Sequence, residues 1–465
     1  MTASRSAQAA AGDQLDFKKI LPVFIIVLID LLGLTIIIPL LPLYATSFGA
    51  SAFTIGVLGA AYPVMQFIGA PLLGRLSDRY GRKPILVVSQ LGTLVGFLIL
   101  GFASALWLLF LARLIDGLSG ANISTAQAVI TDSTTEKTRT RALGLLGAAF
   151  GLGFIVGPII AFVSLALSGN NYHVPAFVAA AFSALSMLLT WFWLTETRPA
   201  ELRGAAGAER ARSLQSVVRT TIASQVGLLL VLTFAKQIAF GGFEQLLPLF
   251  TLSRLGLNAS GNAMIFVFVG VIVVAVQGGL VGVWSRRLGD RRLVYLGLAT
   301  LALGLSLMAL TPRQPVPWYS KAALTAELAA SGDFRTQGYP TTGAVPVPLP
   351  VDTGNGWIGL GWILLAMVPT SIGGGLLQPS LNSLITKRVR SDEIGGMLGL
   401  SASALSAANV VAPLVGGALF QWLGPSAPFL AGGLLMALLL LAAGQWVKPG
   451  QEEQAPPGLR RGAAG

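Results

Sequence analysis

Five ionisable residues stand in stretches too apolar to hold a charge cheaply: Asp30, Arg113, Asp116, Lys236 and Glu244. A charge at the centre of a bilayer costs ~2.5–3.5 kcal/mol on insertion scales, so such groups carry protons, pair with one another or meet a ligand. Spacing sorts them. Arg113 and Asp116 lie three positions apart, on one helix face, and can pair. That pairing would account for both; alternatively Arg113 tunes a neighbouring carboxylate. Lys236 and Glu244 lie two helical turns apart on one face. Glu244 can carry a proton or meet a cationic solute, or, with Pro248 and Arg254 close behind, can reach water at the membrane edge. Asp30 and Lys236 hold equivalent places in two apolar segments and are expected to approach one another in at least one state. A pair that forms and breaks can exchange a proton; a permanent pair would only dock helices. Asp30, Glu244, Arg113 and Asp116 are thus candidates for proton coupling, and Lys236 for substrate contact.

Side-chain amides accumulate in the same stretches: Gln66, Asn122, Gln127, Gln237, Gln245, Gln277, Gln378, Asn382 and Asn409. An amide can hydrogen-bond a polar solute without the desolvation cost of a charge, or it can tie two helices together. All of these except Gln245 are taken as candidate substrate contacts. Other chemistry is excluded. There is no cysteine and one histidine, His173, so neither thiol catalysis nor a histidine metal cluster can be built. Gly117-Leu118-Ser119-Gly120 matches a short serine-protease pattern but has no membrane-embedded base, and Leu288-Gly289-Asp290 is better read as part of a repeat. No Gly-rich phosphate loop with Lys and Ser/Thr is present, which argues against direct use of ATP. No metal and no organic cofactor is expected.

These residues need a membrane to be unusual in, and the composition supplies it. Of 465 residues, 54% are hydrophobic and 11% charged, against roughly 25% charged in ordinary soluble domains. Apolar segments of roughly 20 residues span a bilayer. Twelve are expected, near 20–45, 53–73, 84–103, 106–131, 141–167, 174–194, 222–250, 261–284, 291–311, 357–386, 394–421 and 425–447. The net charge of +12 falls almost wholly in alternate loops, the positive-inside pattern, and is no nucleic-acid footprint. Both termini are then cytoplasmic, in an inner (plasma) membrane protein. The domain reading is a cytoplasmic segment 1–19, a six-helix bundle 20–194, a cytoplasmic linker 195–221, a second bundle 222–447 with an external loop 312–356, and a tail 448–465 expected to be disordered. Within the loop, Trp318 to Ala330 is either an amphipathic surface helix or extended chain.

The two halves repeat one another. Gly74-Arg-Leu-Ser-Asp78-Arg79-Tyr-Gly81-Arg82-Lys83 has a looser copy at Gly282 to Arg291, with Ser77, Arg79, Gly81 and Lys83 matching Ser285, Arg287, Gly289 and Arg291. Ile130-Thr131-Asp132 matches Ile385-Thr386-Lys387, and Pro158 matches Pro413. A six-plus-six duplication is the plan of a secondary transporter, with solute handled near midplane.

The first of these loops resembles motif A of the major facilitator superfamily, specifically its drug:proton antiporters near the tetracycline-exporter branch. The resemblance makes Gly74, Asp78, Arg79, Gly81, Arg82 and Lys83 a gate, with Asp78 capping a neighbouring helix N-terminus and pairing with a basic residue. Ala112-Arg113-Leu-Ile-Asp116-Gly117 is similar to motif B, whose arginine is linked to proton coupling. Gly147, Gly151, Gly153, Gly157 and Pro158 resemble the antiporter motif C, and Gly157 with Pro158 joins the gate. Ile29-Asp30 through Pro39 and Pro42 is similar to the family's first-helix pattern. The pattern departs from the family after Pro158, where the usual glycine pair is missing; in Lys236, which would disfavour cationic solutes or accept anionic ones; and in the long loop 312–356. What the resemblance implies is an all-α fold of twelve transmembrane helices in two pseudo-symmetric bundles. It also implies proton-coupled export of small amphipathic solutes or drugs, with no enzymatic activity. The partners expected are a small-molecule substrate, protons and lipid, and a monomer suffices. Uptake or flipping of an organic anion, sugar or lipid by the same fold is one alternative, and a non-transporting receptor or scaffold another.

Overall fold

The computed structural model describes residues 17–120, 122–134, 136–198, 225–331, 347–389 and 394–446. The expected terminal segment up to residue 16, the linker from 199 onward, loop residues 332–346 and the tail 448–465 lie outside the described residues. The helices are α1 Phe17–Ile37, α2 Leu41–Ser47, α3 Ala52–Tyr80, α4 Arg82–Gly101, α5 Leu106–Ser119, α6 Asn122–Asp132, α7 Glu136–Leu167 and α8 His173–Trp193. In the second half follow α9 Gln225–Leu255, α10 Ala259–Ala275, a π-helical turn Val276–Leu280, α11 Val281–Leu288, α12 Asp290–Ala309, α13 Lys321–Ser331, α14 Ile358–Lys387, α15 Ile394–Leu423 and α16 Ala427–Trp446.

Among the described residues, ten helical spans are long and apolar enough to cross a membrane, and Gly151–Leu167 within α7 is a shorter apolar one. The expected segment 106–131 is not one helix. It breaks after Ser119, where Gly120 donates its N–H to the Gly117 carbonyl and the chain restarts as α6. Inside the long helices sit Pro63, Pro71, Pro158, Pro248, Pro369, Pro379 and Pro413. Each removes an intrahelical bond, which a membrane bundle tolerates because neighbouring groups satisfy the freed carbonyls. Side-chain direction follows the solvent. On α16, Leu430, Leu434, Leu438 and Leu441 are exposed while Phe429, Met436 and Ala443 are buried. That arrangement is a helical stripe whose apolar outer face suits lipid. Trp107, Trp191, Trp318, Trp357 and Trp422, near helix ends, are also exposed, as in an interfacial belt.

The chain forms two compact units. One holds the described residues of Met1–Glu209 with Gln245–Gly270 and Arg313–Trp357; the other holds those of Arg210–Glu244, Val271–Pro312 and Ile358–Gly465. The first unit has a core of Ile20, Val23, Ile26, Val27 and Leu31 from α1 with Leu86, Val129, Ile130 and Ala149. A buried clip ties it together: Gln90 Nε2 donates to Ser186 Oγ at 2.7 Å, and Ser186 Oγ donates to the Ile26 carbonyl at 3.1 Å. The long loop joins this unit through α13. Leu324 and Leu328, one turn apart, are buried. Glu327 accepts from Asn170 Nδ2 at 3.2 Å, Tyr172 Oη at 3.1 Å and Asn258 Nδ2 at 3.0 Å. Of the two readings of Trp318 to Ala330, the helix is the one present, and it is anchored rather than free. In the second unit, α12 packs along α14 through small residues; a Cβ at Gly373 would lie 2.7 Å from the Gly297 carbonyl oxygen.

Candidate functional site

Three groups of polar residues are assembled. The first is the turn between α3 and α4. Gly81 has φ of +105°, a conformation that costs a side chain dearly, and it starts α4 directly after α3 ends. Arg82, buried behind it, donates from Nη1 to Asp78 Oδ1 at 2.9 Å and to Ser77 Oγ at 2.8 Å, and from Nε to Asp132 Oδ2 at 2.9 Å. Arg198 Nη1 meets the same Asp78 oxygen at 3.0 Å. Asp78 therefore pairs with basic residues as expected, and the cap of α4 itself is supplied by another residue. Glu196 accepts from the backbone N–H of Arg82 at 2.9 Å and of Lys83 at 3.1 Å, at the positive end of α4. Arg79 is exposed against Tyr80, and the Gly74 carbonyl accepts from Ser77 Oγ at 2.8 Å. Gly157 and Pro158 lie in α7. A Cβ on Gly157 would collide with Thr35 of α1, so the glycine permits that helix contact.

The second group lies in the membrane segments of the first unit. Arg113 Nη1 donates to Asp116 Oδ2 at 2.8 Å, both buried on α5, which is the pairing their spacing predicts. The guanidinium lies 4.4 Å from the centre of the Tyr62 ring on α3, near enough for a cation–π attraction. Asp30, Arg113 and Asp116 all act electrostatically on Tyr62. Gln66 Nε2 donates to Tyr62 Oη at 3.2 Å and to the Gly120 carbonyl at 2.9 Å, so it closes the broken end of α5. The approach of α5 to α3 depends on Gly117, where a Cβ would stand 2.5 Å from the Tyr62 carbonyl oxygen. Tyr62 bears no formal charge and sits before Pro63, so nothing in the sequence singled it out; only the packing places it among the three charges.

The third group is in the second unit. Lys236 Nζ donates to Gln237 Oε1 at 3.0 Å and lies 5.1 Å from the Phe240 ring centre. Gln237 Nε2 donates to Asn409 Oδ1 on α15 at 2.8 Å. Gln378 Nε2 donates to Asn382 Oδ1 at 3.3 Å, which also accepts from Ser401 Oγ at 3.1 Å. Glu244 is half-buried on the Lys236 face of α9. Gln277 is exposed in the π-helical turn, a local element found often at functional sites. Gln127 is exposed on α6. The Asn122 side chain lies outside the described residues. Asp30 belongs to the first unit and Lys236 to the second.

The Major Facilitator Superfamily model matches residues 23–332 and 347–463. The chain belongs to that superfamily. It is 30% identical over 395 residues to the class B tetracycline resistance protein of Escherichia coli, covering 84% of this chain and 86% of that one. It is 25% identical to multidrug resistance protein 2 of Bacillus subtilis strain 168, covering 89% and 92%. Among solved structures, a D323A mutant of the nucleoside transporter NupG superposes with a TM-score of 0.67 at 12% identity, covering 92% of this chain and all of that one. The human organic anion transporter MFSD10 superposes at 0.57 with 22% identity, again covering 92% and 100%. At such identities the structures speak for the fold alone. The protein is thus a multi-pass membrane transporter of the major facilitator fold, similar to tetracycline and multidrug resistance proteins, and not an enzyme.

Proposed function

We propose that this major facilitator protein is an antiporter that exports small amphipathic solutes by alternating access in exchange for inward-moving protons. The observation that carries this reading is the cluster of Asp30, Tyr62, Arg113 and Asp116. A permanent structural pair needs only Arg113 and Asp116, whereas a second carboxylate, Asp30, in the same field gives the arginine an alternative partner when Asp116 takes up a proton. Asp30 and Glu244 carry the protons, Arg113 and Asp116 adjust them, and the turn Gly74 to Lys83 opens and closes the basic side. Lys236, Gln237 and Asn409 face the solute. The names of the relatives, tetracycline and multidrug resistance proteins, support a drug-like substrate. The basic loops support a bacterial inner membrane location with both termini in the cytoplasm. The proton gradient is the energy source, without a cofactor, and one chain is the working unit.

The test uses proteoliposomes holding a pH-sensitive dye under an imposed proton gradient, challenged with tetracyclines, quinolones, cationic dyes and organic anions. Solute-dependent proton movement is expected in the wild type. Asp30→Asn or Glu244→Gln is expected to lower it about 10-fold or more, the equivalent of a barrier raised by ~1.4 kcal/mol. A folded, ligand-binding protein that moves no protons with any solute would overturn the export reading in favour of lipid or organic-anion transport.

A further inference from the structure

The second unit buries a lysine that, among the described residues, forms no ion pair. Lys236 is 4% exposed. Among the described residues it has no carboxylate within 4.0 Å; its contacts are the Gln237 amide oxygen, the face of Phe240 and the longer-range field of Glu244. Glu244 is eight positions along α9, which is ~12 Å of helix rise, too far for an ion pair. A cation removed from water and left with one neutral acceptor is costly, and the cost is recovered when an anion binds beside it.

The surroundings are built for that anion. Gln237 uses its oxygen for Lys236 and its nitrogen for Asn409 Oδ1, which leaves the Asn409 amide N–H groups and two of the three lysine N–H groups to donate. Gly374 of α14 seats the Phe240 ring, since any Cβ there would collide with it, and Gly241 lets α9 approach Ala412 of α15 closely enough for Gln237 to reach Asn409. The result is an aromatic face flanked by a cation and amide donors.

We propose that Lys236 selects flat amphipathic solutes carrying a carboxylate, phenolate or enolate oxygen, which accepts a charge-assisted hydrogen bond from Nζ while the solute's ring system lies against Phe240. This rests on the export reading and specifies its substrate class. Glu244 stays available at the far end of the face for the proton or for a positively charged tail.

The test pairs a fluoroquinolone with its ethyl ester, which differ in the carboxylate, and adds ethidium as a cation. Equilibrium binding is measured on the full-length protein in lipid nanodiscs for wild type, Lys236→Gln and Lys236→Arg. The acid is expected to bind the wild type about 10-fold tighter than the ester. Lys236→Gln is expected to remove that preference without weakening ester or ethidium, and Lys236→Arg to keep most of it. Equal binding of acid and ester by the wild type overturns the inference, and so does a uniform loss of all three probes in Lys236→Gln when Lys236→Arg restores none. Proton movement in proteoliposomes is read separately. Its absence with the binding preference intact counts against antiport and leaves the anion site standing.

Discussion

The two basic turns share a backbone and exchange their charges. Gly81 and Gly289 both have positive φ, and each starts a helix. Four residues earlier stand Ser77 and Ser285. The residue after the glycine is Arg82 in one and Asp290 in the other, and its partner on a later helix is Asp132 in one and Lys387 in the other. Arg82 donates to Ser77 Oγ, whereas Asp290 accepts from Ser285 Oγ and from Ser383 Oγ. The duplication has preserved an ion pair and its hydroxyl while reversing both signs. The difference lies in what surrounds the pair. The first turn adds Asp78, Arg198 and Glu196; the second keeps one lysine, half exposed, and two hydroxyls. The interaction is what the repeat conserves, and the first copy carries additional charges suited to a gate that must latch and release.

Swapping charges tests this most strongly. Arg82→Asp leaves three carboxylates, Asp78, Asp132 and Glu196, around a fourth, and is expected to cost about 3–5 kcal/mol, as when a buried pair loses one partner. Adding Asp132→Arg recreates the sign order of the second turn. It should recover only part of that loss, because Asp78 and Glu196 still face the new aspartate. The reciprocal swap, Asp290→Lys with Lys387→Asp, meets the Ser285 and Ser383 hydroxyls in place of those carboxylates and, although Arg291 and Arg292 follow directly, should recover a larger share. Thermal unfolding in detergent decides; equal recovery in both turns would remove the distinction drawn here. A smaller effect is expected from Lys387→Ala, about 1.5–3 kcal/mol, the range of a hydrogen bond to a charged group, since Ser285 and Ser383 continue to hold Asp290. Should that variant match Arg82→Asp, the serines contribute little. Glu196→Ala removes the cap on α4 and is expected to cost about 1 kcal/mol, visible as faster amide exchange at Arg82 and Lys83 with the rest of α4 unchanged.

The smallest expected effect comes from a carboxylate whose donors are all neutral. Burial raises the proton affinity of Glu327 in the folded protein, and its bonds from Asn258, Tyr172 and Asn170 only partly oppose this. The docked state then holds the proton more firmly than the undocked one, so docking of α13 weakens as pH rises from the ordinary carboxylate range through the raised one. Amide exchange across 321–331, corrected for its intrinsic pH dependence, should show that loosening, and Glu327→Gln should flatten it. A pH-independent profile in the wild type would remove the contrast with the charge-paired turns.

Much of the site was legible because its signals are local. Asp30, Lys236 and Glu244 stood out against apolar sequence, and a three-residue spacing was enough to pair Arg113 with Asp116. The amides were harder. Gln90 is fully buried and clips α4 to α8, whereas Gln237 reaches across to α15 beside a buried cation, and nothing in their local sequence separates helix glue from a solute contact. Glu196 caps a helix whose first residue precedes it by 114 positions, a distance over which no spacing rule operates. Tyr62 carried no signal at all.

By itself the sequence determined that the chain is built of apolar membrane helices, the repeat of its basic turns and the glycines that mark them, because bilayer thickness, hydropathy and backbone sterics act over a few residues to one helix length; the break of 106–131 at Gly120 came only with the structure. Only the tertiary structure decided which polar groups meet: Tyr62 with Arg113, Arg82 with Asp132, Asp290 with Lys387, Glu327 with Asn258. Those meetings depend on how helices distant in the chain rotate and approach. In lipid that is set by interlocking small residues such as Gly117 and Gly373, whose contacts a linear pattern does not contain.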